Sequence, residues 1–134
     1  MAKITKKKDG TLFCDIRWRN ALITVALLQD KADHVITKDN DDDEYFLSET
    51  AAAGAFVVDR LEYLLVFRKG YSTPVVIHEC WHLFFYRMDD IDHHRDICFD
   101  EVGNEVYAYD FEDLYETVSE TLSNMKKGEK NLKK

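Results

Sequence analysis

Apolar and polar residues alternate along residues 12–18, directly after the turn signal Asp9-Gly10. A period of two places successive side chains on opposite faces of an extended chain, which is the pattern of a half-buried strand. We therefore predict a strand over these residues. It would pair in a hairpin with residues 3–7, which precede the turn.

The spacing becomes helical after Asn20. A helix that Asn20 caps, extending to about Asp33, is predicted from this spacing. The residues of its common face are Leu22, Val25, Ala26 and Gln29.

Two runs rich in β-branched and aromatic residues follow the acidic segment 38–44, which is predicted to be a solvated loop. The runs cover residues 56–58 and 63–67. They predict two strands that turn near Asp59-Arg60, because such side chains favour extended backbone.

Ser72-Thr73-Pro74 is a helix-start signal, because a hydroxyl residue can cap the first turn and proline is tolerated at the first helical position. The predicted helix extends from Pro74 to about Met88. Apolar residues surround it on nearly all sides, so we expect it to be central and buried. These residues are Val75, Val76, Ile77, Trp81, Leu83, Phe84 and Phe85.

A second helix is predicted from residues 101–104 to about Asn124, after the polar link 89–100. The segment 126–134 is rich in lysine and has little apolar content, so we predict a basic, disordered tail. Residues 1–125 are predicted to be a single domain. The pattern indicates an α+β fold, in which a small antiparallel or mixed sheet packs on the two later helices.

The composition is that of a globular domain, with 46% hydrophobic and 33% charged residues in a chain of 134. The net charge of −8 disfavours nucleic acid as the main partner, because phosphate binding requires a basic surface. Only the basic ends, residues 3–8 and 126–134, favour a nucleic-acid role. Without a recognisable signal peptide or long apolar run, and with three widely spaced cysteines, the sequence predicts a cytoplasmic protein with no membrane partner.

The segment His78-Glu79-Cys80-Trp81-His82 has the pattern H-E-x-x-H. On a helix, residues four apart lie one above the other, so His78 and His82 are placed to bind one Zn²⁺ as neutral imidazoles. Glu79 stays free to act as general base on a water that the metal activates.

Catalytic zinc usually has three protein ligands, and Glu105 is the first candidate for the third. It lies on the predicted second helix, which can pack antiparallel against the first and return Glu105 to the histidines. The competing candidates on the polar link are His93, His94, Asp96 and Asp100.

The two segments resemble the zincin metallopeptidases, in the gluzincin arrangement of H-E-x-x-H followed by a glutamate on the next helix. Asn104-Glu105 is similar to the Asn-Glu that opens the ligand helix of thermolysin-like enzymes. These enzymes have an Asp four residues after the glutamate, where this chain has Tyr109. The series of strand, H-E-x-x-H, acidic link and Glu-x-x-Ala-Tyr also resembles small predicted metallopeptidases of bacteriophage genomes.

The resemblance covers roughly residues 60–118. It implies that His78, His82 and Glu105 are zinc ligands and that Glu79 is the catalytic base. It also implies a minimal zincin-like domain and, for a phage-encoded protein, action in the host-cell cytoplasm.

The sequence thus predicts a zinc-dependent metallopeptidase-like hydrolase with a protein or peptide substrate. The candidates for stabilising the oxyanion, or for supporting the ligands, are Tyr107, Tyr109, His93 and His94. The alternative is a catalytically weak or inactive zincin-fold protein that binds a host or viral partner. Small size and negative charge fit that role equally well.

Overall fold

The structure is a computed structural model that describes residues 3–37, 44–92 and 101–132, with the backbone alone at residues 92, 101–105 and 129–132. The predicted α+β class is confirmed, since a five-stranded sheet, a two-stranded sheet and two helices occur in these residues. The strands are β1 (Ile4–Lys6), β2 (Leu12–Trp18), β3 (Ala21–Leu28), β4 (His34–Thr37), β5 (Glu44–Leu47), β6 (Ala53–Asp59) and β7 (Glu62–Arg68). The helices are α1 (Thr73–Asp92) and α2 (Glu101–Leu132).

The five-stranded sheet is mixed and has the strand order β1-β2-β3-β7-β6. Its central strands β3 and β7 are parallel, while the other neighbouring pairs are antiparallel. The hairpin predicted for residues 3–18 is confirmed as β1–β2. The two strands predicted to turn near Asp59-Arg60 are confirmed as β6 and β7.

β3 occupies the segment after Asn20 that was predicted to be a helix extending to about Asp33, and that prediction is wrong. The strand is an apolar run whose side chains are buried on both faces of the sheet. Such a run lacks a period of two, so its apolar spacing also fits a helix. The consecutive β-branched residues Ile23, Thr24 and Val25 favour the strand, which β2 and β7 complete by pairing on its two sides.

Hydrophobic cores lie on both faces of the sheet. One contains the side chains of β3 and β7 that face the helices, among them the register partners Val25 and Leu65. The other contains side chains of the opposite face and of the β4–β5 sheet, among them Leu64, Ile36 and Leu47. The five-stranded sheet is therefore covered from two sides, and α1 packs over β6 and β7.

Arg68, the last residue of β7, is a buried cation that binds the chain on either side of the β4–β5 sheet. Its Nη1 donates to the carbonyl oxygens of Asp30 (3.1 Å) and Ala32 (2.9 Å). Its Nε donates to Ala51 O (2.9 Å), and its Nη2 donates to Ser48 O (2.7 Å). The planar guanidinium thus fixes both ends of the segment that covers the second core.

α1 begins at the predicted signal, where Ser72 O accepts the first helical hydrogen bond from Val76 N (3.2 Å). The expectation that this helix is central and buried is correct for one face only. One face packs on the sheet and α2, whereas Trp81 on the other face is 50% exposed and Ile77 and Phe85 are exposed as well. The reason is that the sheet and α2 cover only one side of α1. Its buried apolar residues are Val76, Cys80, Leu83, Phe84 and Met88.

α2 packs over β2 and β3 and ends at Leu132, later than predicted. The basic tail, predicted to be disordered, is therefore helical as far as Leu132. Met125 has no exposed surface, and Lys126 Nζ lies 4.1 Å from the centre of the Tyr71 ring, so packing continues past the predicted end. Neither helix, over the described residues, has an apolar stretch that meets the length needed to cross a membrane. The buried residues of α2 are Leu114, Val118, Thr121, Leu122 and Met125.

Candidate metal-binding and catalytic site

The two histidines of the H-E-x-x-H segment lie one turn apart on the exposed side of α1. Their Nε2 atoms are 3.1 Å apart, and their rings are nearly perpendicular, with centroids separated by 4.7 Å. The helix therefore brings together the nitrogens of His78 and His82 as the spacing of four predicted.

This separation fits a shared zinc ion. Zinc–nitrogen bonds of about 2.0–2.1 Å at a tetrahedral angle place two nitrogens about 3.3 Å apart. The observed 3.1 Å between the Nε2 atoms of His78 and His82 is close to that value. The same distance also suits an N–H···N hydrogen bond, with one imidazole as donor and the other as acceptor. The donor set of the pair thus fits zinc without requiring it.

Glu79 lies beside this pair but on the covered side of α1, and only 7% of its surface is exposed. Burial raises the pKa of its carboxyl above the ordinary range, and charge on His78 and His82 opposes that shift. Within the described residues, no lysine or arginine forms an ion pair with Glu79. Charge on the two histidines is therefore the influence that opposes the effect of burial on this carboxylate.

Cys80 lies between the histidines in the sequence but not in space, because its side chain has no exposed surface and belongs to the core below α1. Burial, followed by the charge of Glu79, raises the pKa of its thiol to about 12.

A column of side chains continues from His82 along the same face of α1. The ring of Tyr86 stacks on His82 at 6.3 Å and on Tyr63 of β7 at 6.5 Å, with interplanar angles of 19° and 22°. The hydroxyl of Tyr63 donates a hydrogen bond to Asp90 Oδ2, which also accepts from Leu61 N (3.1 Å). Burial and this hydrogen bond raise the pKa of Tyr63.

Sequence reasoning missed Tyr86 and Asp90, although a signal was present. They follow His82 at the same interval of four residues that separates His82 from His78. Residues at this interval share a helix face, so the tyrosine and aspartate belong to the histidine column rather than to the rest of the helix.

The two candidate tyrosines of α2 lie in different surroundings. Tyr107 is half-buried, and its ring is 6.4 Å from that of Phe84 in an edge-to-face arrangement. Phe84 and Trp81 also contact the ring of Phe111. Tyr109 is 67% exposed. Tyr107 thus belongs to the aromatic contact between α1 and α2, and the structure describes no contact of either tyrosine with the histidines.

Glu105, the leading candidate for the third ligand, lies in the first turns of α2. Its backbone is two positions before Tyr107, but its side chain is outside the described part of the chain. The competing candidates also lie outside the described residues. Among the side chains that the structure does describe, no group of three or more His, Cys, Asp or Glu residues is placed to bind a metal. Those competing candidates are His93, His94, Asp96 and Asp100.

The strand β6 forms the edge of the sheet on the side where α1 packs. It pairs with β7 alone among the described strands, so the backbone groups on its outer side face away from the sheet. Val57 of β6 is the register partner of Tyr63 and is 49% exposed. An extended peptide could pair with such an edge next to the histidine column.

Comparison of the chain with protein-family models, with curated proteins and with solved structures gave no match.

Proposed function

We propose that this protein is a zinc-dependent hydrolase of peptide or amide bonds, of the zincin type, acting in the cytoplasm. The observation that carries the proposal is the 3.1 Å separation of the His78 and His82 Nε2 atoms on an exposed helix face, next to the nearly buried carboxylate of Glu79. Glu105 is the proposed third ligand, because it lies in the first turns of α2 and because α2 packs against α1.

Zinc bound by these residues would supply Lewis acidity, which acidifies a water and polarises the scissile carbonyl. Glu79 takes the proton of the attacking water on its carboxylate and passes it to the nitrogen of the leaving amine. The covered position of Glu79 supports this role, because a partly desolvated carboxylate holds a proton more readily than a solvated one.

The substrate class is an extended polypeptide. The outer edge of β6 offers backbone donors and acceptors to such a chain, and Val57 offers an exposed apolar contact. Backbone pairing would fix the chain without selecting a particular sequence, so side-chain preference would depend on neighbouring surfaces.

A binding role without catalysis is the second candidate. The observation that favours it is the exposed apolar surface of the helices, since contiguous exposed apolar residues often mark an interaction site. A protein of net charge −8 would attract a partner with a basic surface. The exposed apolar residues of α1 and α2 are Ile77, Trp81, Phe85, Ile91, Val106 and Tyr109.

The metal is tested first, by measuring the zinc content of the purified protein. We expect one zinc per chain, which is lost in His78→Ala and in Glu105→Ala but retained in the double variant His93→Ala/His94→Ala. If Glu105→Ala retains zinc and the double variant loses it, the third ligand would instead be a histidine of the polar link. A protein that binds no zinc would contradict the proposal.

Catalysis is tested next with Glu79→Gln, which keeps the shape of the side chain and removes its basicity. We expect this variant to retain zinc and to lose cleavage of a mixed peptide library by a factor of at least about 10². Full cleavage by the variant would exclude Glu79 as the base. Zinc binding without cleavage in the wild-type protein would favour the binding role.

A further inference from the structure

We propose that Tyr86 is a positioning residue for the metal ligand His82, whose ring it holds in the plane required for zinc binding. This inference rests on the proposed function, because it concerns the same site. It assigns a role to a side chain that lies outside the H-E-x-x-H pattern.

The geometry between Tyr86 and His82 is that of an offset stack. Their ring centroids are 6.3 Å apart at an interplanar angle of 19°, within the range in which aromatic rings attract each other. Contact across the ring face restricts rotation of the imidazole about its bond to Cβ. The stack therefore restricts the direction in which His82 Nε2 points before a metal binds.

Tyr86 can restrain His82 because Tyr86 is itself restrained. Its ring also stacks on that of Tyr63, which has no exposed surface. Asp90 lies one turn after Tyr86 on α1. Its carboxylate accepts hydrogen bonds from the hydroxyl of Tyr63 and from the backbone N–H of Leu61. The column therefore connects His82 to the core and to the β6–β7 turn.

The two histidines differ in how many ring contacts restrain them. Across the described rings, His78 contacts only His82, whereas His82 contacts both His78 and Tyr86. His82 is thus the preorganised ligand, and His78 must be ordered when the metal binds. Removing the stack would make both ligands mobile, and ordering both would weaken binding.

The stack requires an aromatic face but no hydroxyl group. Within the described part of the chain, the Tyr86 hydroxyl has no hydrogen-bond partner. Tyr86→Phe should therefore keep the function of the side chain, and Tyr86→Leu should lose it while filling similar apolar space. Tyr115→Leu is the matched control, because Tyr115 is a half-buried tyrosine on α2 with no described ring contact.

The test is the zinc dissociation constant of each purified variant, measured by competition with a chromophoric chelator. We expect Tyr86→Phe and Tyr115→Leu to stay within about twofold of the wild type, and Tyr86→Leu to bind zinc about 10- to 100-fold more weakly, the usual effect of removing a group that orients a ligand. Chelator-treated samples of each variant must show the same cooperative unfolding. If Tyr86→Leu does not, Tyr86→Met replaces it in the comparison.

A second readout uses the metal-free protein, so that it does not depend on zinc. The Cε1–H resonance of His82 should move in Tyr86→Leu, because the ring current of the stacked tyrosine is lost, and that of His78 should move less. Wild-type zinc affinity in Tyr86→Leu, or an unmoved His82 resonance, would overturn the inference while leaving the metal site intact. Failure of the wild-type protein to bind zinc would overturn the proposed function together with the inference.

Discussion

The centre of the sheet and the outer face of α1 are both rich in apolar residues, but the protein covers them differently. Along β3 and β7, side chains are buried on both faces, and register pairs such as Val25 and Leu65 have no exposed surface. On the outer face of α1, Ile77, Trp81 and Phe85 are exposed, and Trp81 retains half of its surface. The histidines are exposed too.

The difference shows where residue identity follows from folding. In the centre, any change of volume leaves a cavity or a clash, so packing alone accounts for the side chains. On the outer face of α1, stability depends little on which residue is present, because most substitutions at an exposed helix position change the free energy of unfolding only slightly. Packing therefore does not account for two histidines at such positions with their Nε2 atoms 3.1 Å apart.

The largest effect is expected for Leu65→Ala in the centre of β7. This change removes a side chain with no exposed surface and leaves a cavity between the sheet and α1, so the free energy of unfolding should fall by about 2–5 kcal/mol. Urea denaturation with a chelator present measures the change. Val57→Ala on the exposed part of β6 is the control, with an expected loss below about 1 kcal/mol. Equal losses in the two variants would contradict the difference between the regions.

A smaller effect is expected for Arg68→Met. Methionine occupies the space of the arginine's methylene groups but leaves four carbonyl oxygens without their donor. The free energy of unfolding should therefore fall by about 2–3 kcal/mol. Lys69→Met replaces the exposed neighbouring cation and should leave the free energy of unfolding nearly unchanged. An unchanged free energy of unfolding in Arg68→Met would mean that water replaces the guanidinium at these carbonyls.

The smallest effect on the metal-free protein is expected for His78→Ala, because this side chain is exposed. The free energy of unfolding with chelator should change by less than about 0.5 kcal/mol. With zinc at a hundred times its dissociation constant, the wild-type protein should gain about 2.7 kcal/mol, and the variant should gain nothing. Thermal unfolding with and without zinc measures both quantities. A large loss in the metal-free variant would place His78 among the packing residues.

The elements that the sequence predicted correctly are those with a local signal. β2 has an alternating pattern, β6 and β7 contain β-branched and aromatic runs, and α1 has Ser72 and Pro74 at its start. Each signal depends on neighbours in the sequence, so a single chain is sufficient to detect it. The α+β class followed from these elements.

The errors arose where distant contacts decide the structure. β3 is an apolar run whose spacing also fits a helix, and one of its two neighbours in the sheet, β7, is not indicated by any residue near Asn20 in the sequence. α1 was expected to be buried, but how much of a helix is covered depends on elements elsewhere in the chain. α2 continues beyond residue 124 because Met125 packs in the core.

The candidate site follows the same rule. His78, Glu79 and His82 were identified from a pattern of five residues within a single helix, and the structure brings the two histidine nitrogens together. Tyr86 follows His82 at the same interval of four residues, but its contact with Tyr63 on β7 joins distant parts of the chain and could not be predicted from that interval.

The parallel pairing of β3 with β7 also has a consequence for how fast the chain folds. Leu22 pairs with Glu62 and Leu28 with Arg68, so the central contacts of the sheet join residues far apart in the sequence. Closing a loop of about 33 residues costs about 3 kcal/mol of chain entropy before these contacts form. The β1–β2 hairpin and the helices should therefore form within microseconds, and β3–β7 association should set the overall folding rate. The histidine column, which is connected to β7 through Tyr63, would be completed only in that last step.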